Sequence, residues 1–188
     1  MGLFDFLAGD PSKKWVRDPG LKLEVELRDA SLCGVRLGSR PSGLSRLGAP
    51  SNPPSTKKSI YVWEDLGIDV YFRNDVLQAY TLAINLKDLE PDTTPFAGVI
   101  LLDGRPLPLE AATRRDDVVR LLGEPWHQFG DPEDDELSLS MYYETRTLEW
   151  TFEFLRAGTL ASVVLASPPD LEEEQTRKNL KCDKPWPP

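Results

Sequence analysis

The stretch Tyr61–Phe72, "YVWEDLGIDVYF", decides how this chain is read, because its acids and aromatics admit either a catalytic site or a β-hairpin. Carboxylates do general acid–base chemistry only when a fold holds them across a substrate. Here Glu64 and Asp65 run directly into Leu66-Gly67, a turn signal, and the apolar residues on both sides alternate. A three-residue turn at Asp65, Leu66 and Gly67, with Gly67 in the left-handed conformation, would pair Glu64 with Ile68, Val62 with Val70 and Ile60 with Phe72. In that register Tyr61, Trp63, Asp69 and Tyr71 share the opposite face. The acids are then turn and surface residues.

The same period of two recurs on either side of the hairpin. Leu21, Leu23, Val25 and Leu27 alternate with Lys22, Glu24 and Glu26, as in a half-buried strand, and "LCGVRL" is a second short apolar segment. A helical turn ending at Gly48 and Pro50 follows, then a Pro/Ser/Lys loop. "VLQAYTLAI" reads as a strand, and "FAGVILLDGRPLPL" as a hairpin about Asp103-Gly104. "TRRDDVVRLLGEP" reads as a helix with Thr113 at its N-cap and Gly123 as its stop. Three further strands are expected between Leu137 and Ala166, and a short polar helix from about Leu171.

These elements repeat. Gly34-Val35-Arg36-Leu37 matches Gly98-Val99-Ile100-Leu101, and Leu47-Gly48-Ala49-Pro50 matches Leu122-Gly123-Glu124-Pro125. An aromatic hairpin follows each, Trp63-Glu64 answering Tyr143-Glu144 and Ile68-Asp69-Val70 answering Leu148-Glu149-Trp150. Such self-similarity marks one supersecondary unit used twice, each copy covering apolar surface that the other cannot bury alone. The helix, Leu-Gly-x-Pro and strand unit resembles the α/β repeat of the β-lactamase inhibitor protein and of the small lipoprotein of the outer-membrane assembly machinery. With its "YVWEDLGI" and "ILLDGRPL" segments, the chain is also similar to uncharacterised bacterial proteins, some of them associated with toxin immunity. The resemblance implies an α+β fold of two β-rich repeats, each a short helical segment plus antiparallel strands, in an inhibitor-protein-like sheet. The expected division is a peripheral segment at 1–20, repeats at 21–94 and 95–167, and a polar, Pro-rich tail at 168–188.

The bulk composition narrows the function. The 188 residues are 40% hydrophobic and 28% charged, which supports a sizeable core. The net charge of −9 argues against nucleic acid and anionic membranes, whose recognition uses dense Lys and Arg, and favours a basic protein partner. Cys33 and Cys182 are too far apart for a disulfide framework or a metal-ligand spacing. The N-terminus has neither the charge nor the apolar core of a signal peptide, so a cytoplasmic location is expected. No apolar run approaches the about 20 residues of a spanning helix, so no integral membrane association is expected; Leu3, Phe4 and Phe6 leave a peripheral membrane scaffold as an alternative.

Candidate sites are few. His127, the single histidine, anchors the competing reading of a small hydrolase or transferase, with acids from "GDPEDDE" at 130–136. That acidic loop lacks the pattern of a dedicated calcium site, and neither a Gly-x-Ser-x-Gly elbow nor a phosphate loop is present. No metal, cofactor or catalytic residue is therefore assigned. The favoured reading is a non-catalytic protein-binding module whose contact face is Tyr61, Trp63, Asp69 and Tyr71, because Trp and Tyr are the side chains most enriched at interface anchors.

Overall fold

The structure, a computed structural model, describes residues 11–52, 60–86, 93–130, 137–145, 147–167, 175 and 178–179. The chain runs through 3-10 turn η1 (Pro11–Lys14), strands β1 (Glu24–Glu26), β2 (Ser31–Leu32) and β3 (Val35–Arg36), and 3-10 turn η2 (Pro41–Leu47). Strands β4 (Ile60–Trp63), β5 (Ile68–Arg73) and β6 (Val76–Ala83) follow. The second half brings β7 (Val99–Leu102), β8 (Arg105–Pro106), helix α1 (Arg115–Leu122), β9 (His127–Phe129), β10 (Leu137–Glu144), β11 (Glu149–Leu155) and β12 (Leu160–Ala166). This is an α+β fold of two mostly antiparallel sheets. The smaller has the order β3-β2-β1-β7-β8 and the larger β4-β5-β6-β12-β11-β10-β9. One pair, β1 with β7, is parallel, because the chain leaves the larger sheet after β6 and re-enters the smaller one beside its own beginning.

The larger order is palindromic about the β6–β12 seam, β4-β5-β6 mirrored by β12-β11-β10 with β9 added at the edge. In the larger sheet the last strands of the two halves meet, with Leu82 opposite Val163 and Tyr80 opposite Leu165. From that seam, Leu82 pairs outward to Ile68 and Trp63, while Leu165 pairs outward to Trp150 and Tyr143. Exchanging the halves thus carries Trp63-Ile68-Leu82 onto Tyr143-Trp150-Leu165.

The face carrying these residues is the core face. Trp63, Tyr80, Phe152, Phe154, Leu32, Leu44 and Leu47 are fully buried in one apolar cluster shared by both sheets and η2. Burying each such side chain contributes about 1.5–3 kcal/mol. The polar tips of four aromatics of the larger sheet are each satisfied by a backbone carbonyl of the covering layer. Trp63 Nε1 donates to Gly48 O at 3.0 Å, Tyr80 Oη to Val35 O at 2.8 Å, Trp150 Nε1 to Leu27 O at 3.0 Å and Tyr143 Oη to Gly123 O at 2.8 Å. These bonds fix how the layers sit on one another, since an indole or phenol buried without a partner costs about 1–3 kcal/mol.

The structure corrects several sequence expectations. The β4–β5 turn has four residues, Glu64 to Gly67, so Trp63 faces Ile68, Tyr61 faces Val70 and Val62 faces Asp69. Tyr61 and Trp63 therefore join the core face, and Asp69 and Tyr71 point away from it. Core burial of the two large rings outweighs the shorter turn, and a bulge after Tyr71 returns Phe72 to the core side, with its ring 4.6 Å from that of Tyr61. Gly67 is left-handed as expected, at φ 63°. The glycine-led tetrapeptides at Gly34 and Gly98 are not equivalent, because Gly34 sits in the β2–β3 turn and Gly98 precedes β7. Position Arg114, not Thr113, caps α1: its amide donates to Asp117 Oδ2 at 2.9 Å, while Thr113 Oγ1 accepts from Glu110 N. The Pro/Ser/Lys loop at 53–59 and most of the tail lie outside the described residues.

Candidate functional site

Tyr61, Trp63, Asp69 and Tyr71 do not form one platform. Trp63 is 0% exposed and Tyr61 7%, so neither is available to a partner, whereas Tyr71 is 42% exposed and Asp69 half-buried on the reverse of the sheet. The β4–β5 register separates the four into two pairs, and the aromatic contact face expected from the sequence is absent.

An open aromatic groove lies instead in the second half. A cavity of about 410 Å³ is lined by Arg28, Glu124, Trp126, Tyr143, Glu144, Thr145, Leu148 and Trp150. Its residues arrive from four places. Helix α1 stops at Gly123, whose φ of 85° turns the chain so that Glu124 and Trp126 stand at the rim. Strand β10 presents Tyr143, held on Gly123 O, and β11 presents Trp150, held on Leu27 O. Arg28 enters from the loop after β1.

The charges divide unequally. Arg28 makes two bonds of 3.0 Å to Asp103 Oδ1 and Oδ2, which neutralise it and hold the Asp103 carboxyl below its ordinary range. Arg115 reaches Glu124 only at 3.7 Å and shares its guanidinium with Asp116 at 3.1 Å. Glu144 stands opposite Glu149 across the β10–β11 pair. Burial first, and then the Glu124 carboxylate, push the Tyr143 phenol up to about 12, so it remains a protonated donor to Gly123 O at neutral pH. Three aromatic walls with the Glu124 carboxylate at the rim would suit a cationic side chain, its apolar stem against the rings and its head against the acid.

The remaining candidates are placed as follows. His127 lies on β9, an edge strand that its short unpatterned sequence concealed, with its ring 6.1 Å from that of Tyr142 and 6.0 Å from that of Trp126. The acids at 131–136 lie outside the described residues, as do Leu3, Phe4, Phe6 and Cys182. The Cys33 thiol sits in the β2–β3 turn, contacts Lys22 O at 3.5 Å, and is pushed up by burial, which disfavours a thiolate. Among the described residues no group of three or more His, Cys, Asp or Glu could hold a metal ion, and no helix is long and apolar enough to cross a membrane. Trp126, Tyr143 and Trp150 were not singled out as a site by sequence reasoning. The signal that could have found them was the match of Tyr143-Glu144 and Trp150 to the first aromatic hairpin.

No protein family matches the chain, and no curated protein matches it. Among solved structures it is similar to a DUF4309 family protein (YjgB) from Bacillus subtilis subsp. subtilis str. 168, at 14% identity over 84% of this chain and 90% of that one, with a TM-score of 0.44.

Proposed function

We propose that this protein is a non-catalytic binding module of the immunity or inhibitor type that engages a basic protein partner through the groove of Trp126, Tyr143 and Trp150. The observation that carries the reading is the groove itself, with about 410 Å³ of open space walled by aromatics and with Glu124 at its rim. The net charge of −9 supports it, since such a field steers a cationic chain toward the molecule and speeds association at low salt. Aromatics that are already packed and hydrogen-bonded lose little freedom on contact, as interface anchors require.

Affinity capture from the native host, run with the wild type, Trp126→Ala and Glu124→Gln in parallel, tests the reading. The wild type should retain a basic protein whose association slows as salt rises. Trp126→Ala should weaken retention by about tenfold, the loss of one aromatic anchor. Glu124→Gln should flatten the salt dependence. Equal retention by all three proteins would remove the groove as the site.

A further inference from the structure

We propose that the groove beside Gly123 takes an aromatic-x-arginine segment of the partner, in the way the chain's own Trp15-Val16-Arg17 fills the corresponding groove beside Gly48. This rests on the binding reading above and names the chemistry of its ligand.

The two grooves are built from matching parts. Gly48 ends η2 at φ 87°, ψ −176°, and Gly123 ends α1 at φ 85°, ψ −174°. An aromatic of the adjoining strand donates to each glycine carbonyl, Trp63 to Gly48 and Tyr143 to Gly123. Three residues past Gly48 and four past Gly123 the chain returns beside the same strand: Ser51 N donates to Val62 O at 2.7 Å, and β9 sets His127 opposite Tyr142.

What differs is the occupant. In the first half Trp15 stacks on Trp63, with ring centroids 6.5 Å apart and planes 10° from parallel, and meets Tyr61 edge-on at 5.5 Å. Arg17 closes over Gly48, where an added Cβ would lie 3.2 Å from the Arg17 amide nitrogen. The Arg17 guanidinium donates through Nε to Leu47 O at 3.1 Å and pairs through Nη1 with Asp65 at 2.7 Å. Val16 between them is 81% exposed, so the middle residue makes no demand on the groove.

In the second half a Cβ added to Gly123 would meet nothing within 4 Å. The ring that would stack there has Tyr143 and Trp126 to meet. The guanidinium has the carbonyls that end α1, at the negative end of the helix, and the Glu124 carboxylate beside them for the part that Asp65 plays in the first half. Among the described residues, the molecule therefore displays in one half the type of segment that its other half lacks.

The test titrates the full chain with a capped synthetic peptide of its own strap sequence, PSKKWVRD, and follows Gly123, Trp126 and Tyr143 by NMR. Saturable shifts at these three residues are expected, with affinity falling about tenfold when the peptide's Trp becomes Ala or its Arg becomes Gln, as the loss of one stacked ring or one charge-assisted bond entails. If PSKKAVKD, equal in charge, binds as well, the aromatic-x-arginine pattern is overturned and only a basic-peptide groove is left. Shifts confined to Trp15 and Trp63 would mean that the peptide displaces the strap, which also overturns the inference. Saturation with no peptide of either kind overturns both this inference and the reading it rests on.

Discussion

Trp63 shows what a single indole N–H decides. Its ring is wholly buried and its Nε1 bonds Gly48 O at 3.0 Å, so Trp63→Phe keeps most of the apolar contact but orphans a buried carbonyl. A loss of about 1–3 kcal/mol in urea unfolding is expected, and a loss below about 0.5 kcal/mol would show that the clasp does not hold the layers together. Charged residues contribute differently. Asp103 is held below its ordinary range by its bonds to Arg28, Asp18 by Arg46 and then the Gly20 amide, and Asp117 by the Arg114 amide and then Arg120. A carboxylate lowered in the folded state adds stability above its unfolded value of about 3.9 and loses it as pH falls through the folded value. Thermal melts should therefore be level above about pH 5 and decline below about pH 4, and Asp103→Asn should flatten that decline. An unchanged acid limb in Asp103→Asn would remove Asp103 from this account. At this scale the sequence was legible for chemistry and not for direction. Tyr61 and Trp63 were recognisable as anchors, but one residue of turn length decides whether an anchor faces a partner or the core.

Among elements, the turns and caps were the readable parts, because Gly and Asp state their geometry locally. Asp103-Gly104 closes the β7–β8 hairpin and Gly123 ends α1 where the sequence placed them. Strand β9 was not readable: His127, Gln128 and Phe129 show no alternation, and only pairing with β10 makes them a strand. The parallel contact of β1 with β7 was equally silent, since it joins segments whose own patterns name no neighbour. Gly67 links the two kinds of information. Its positive φ was foreseeable, but its closeness to the segment before β7 was not: an added Cβ would lie 2.3 Å from Thr94 O. Gly67→Ala should consequently cost more than the about 1 kcal/mol of a left-handed alanine, lowering the urea midpoint well beyond a control substitution at solvent-open Gly104. Equal midpoints for the two variants would contradict the close approach.

For the whole molecule, the palindromic order makes the two halves partners in one sandwich. The first contributes three strands to each sheet, the second four to the larger and two to the smaller, and the buried cluster is common to both. Separately produced halves, divided between β6 and β7, should each lack a cooperative thermal transition and regain one on mixing at equal amounts. A half that melts cooperatively alone at the intact protein's midpoint would refute this shared dependence. The self-similarity read in the sequence raised the expectation of two similar parts, but carried no sign that β6 would lie against β12, because that pairing is a long-range choice with no local code. The central seam also sets the tempo of folding. Ala79 must await Ala166 as its neighbour, so on the ribosome the inner edge of β6 stays uncovered until β12 has emerged. Closure of that seam is the expected slow step, and the nascent first half is the species with most need of a chaperone.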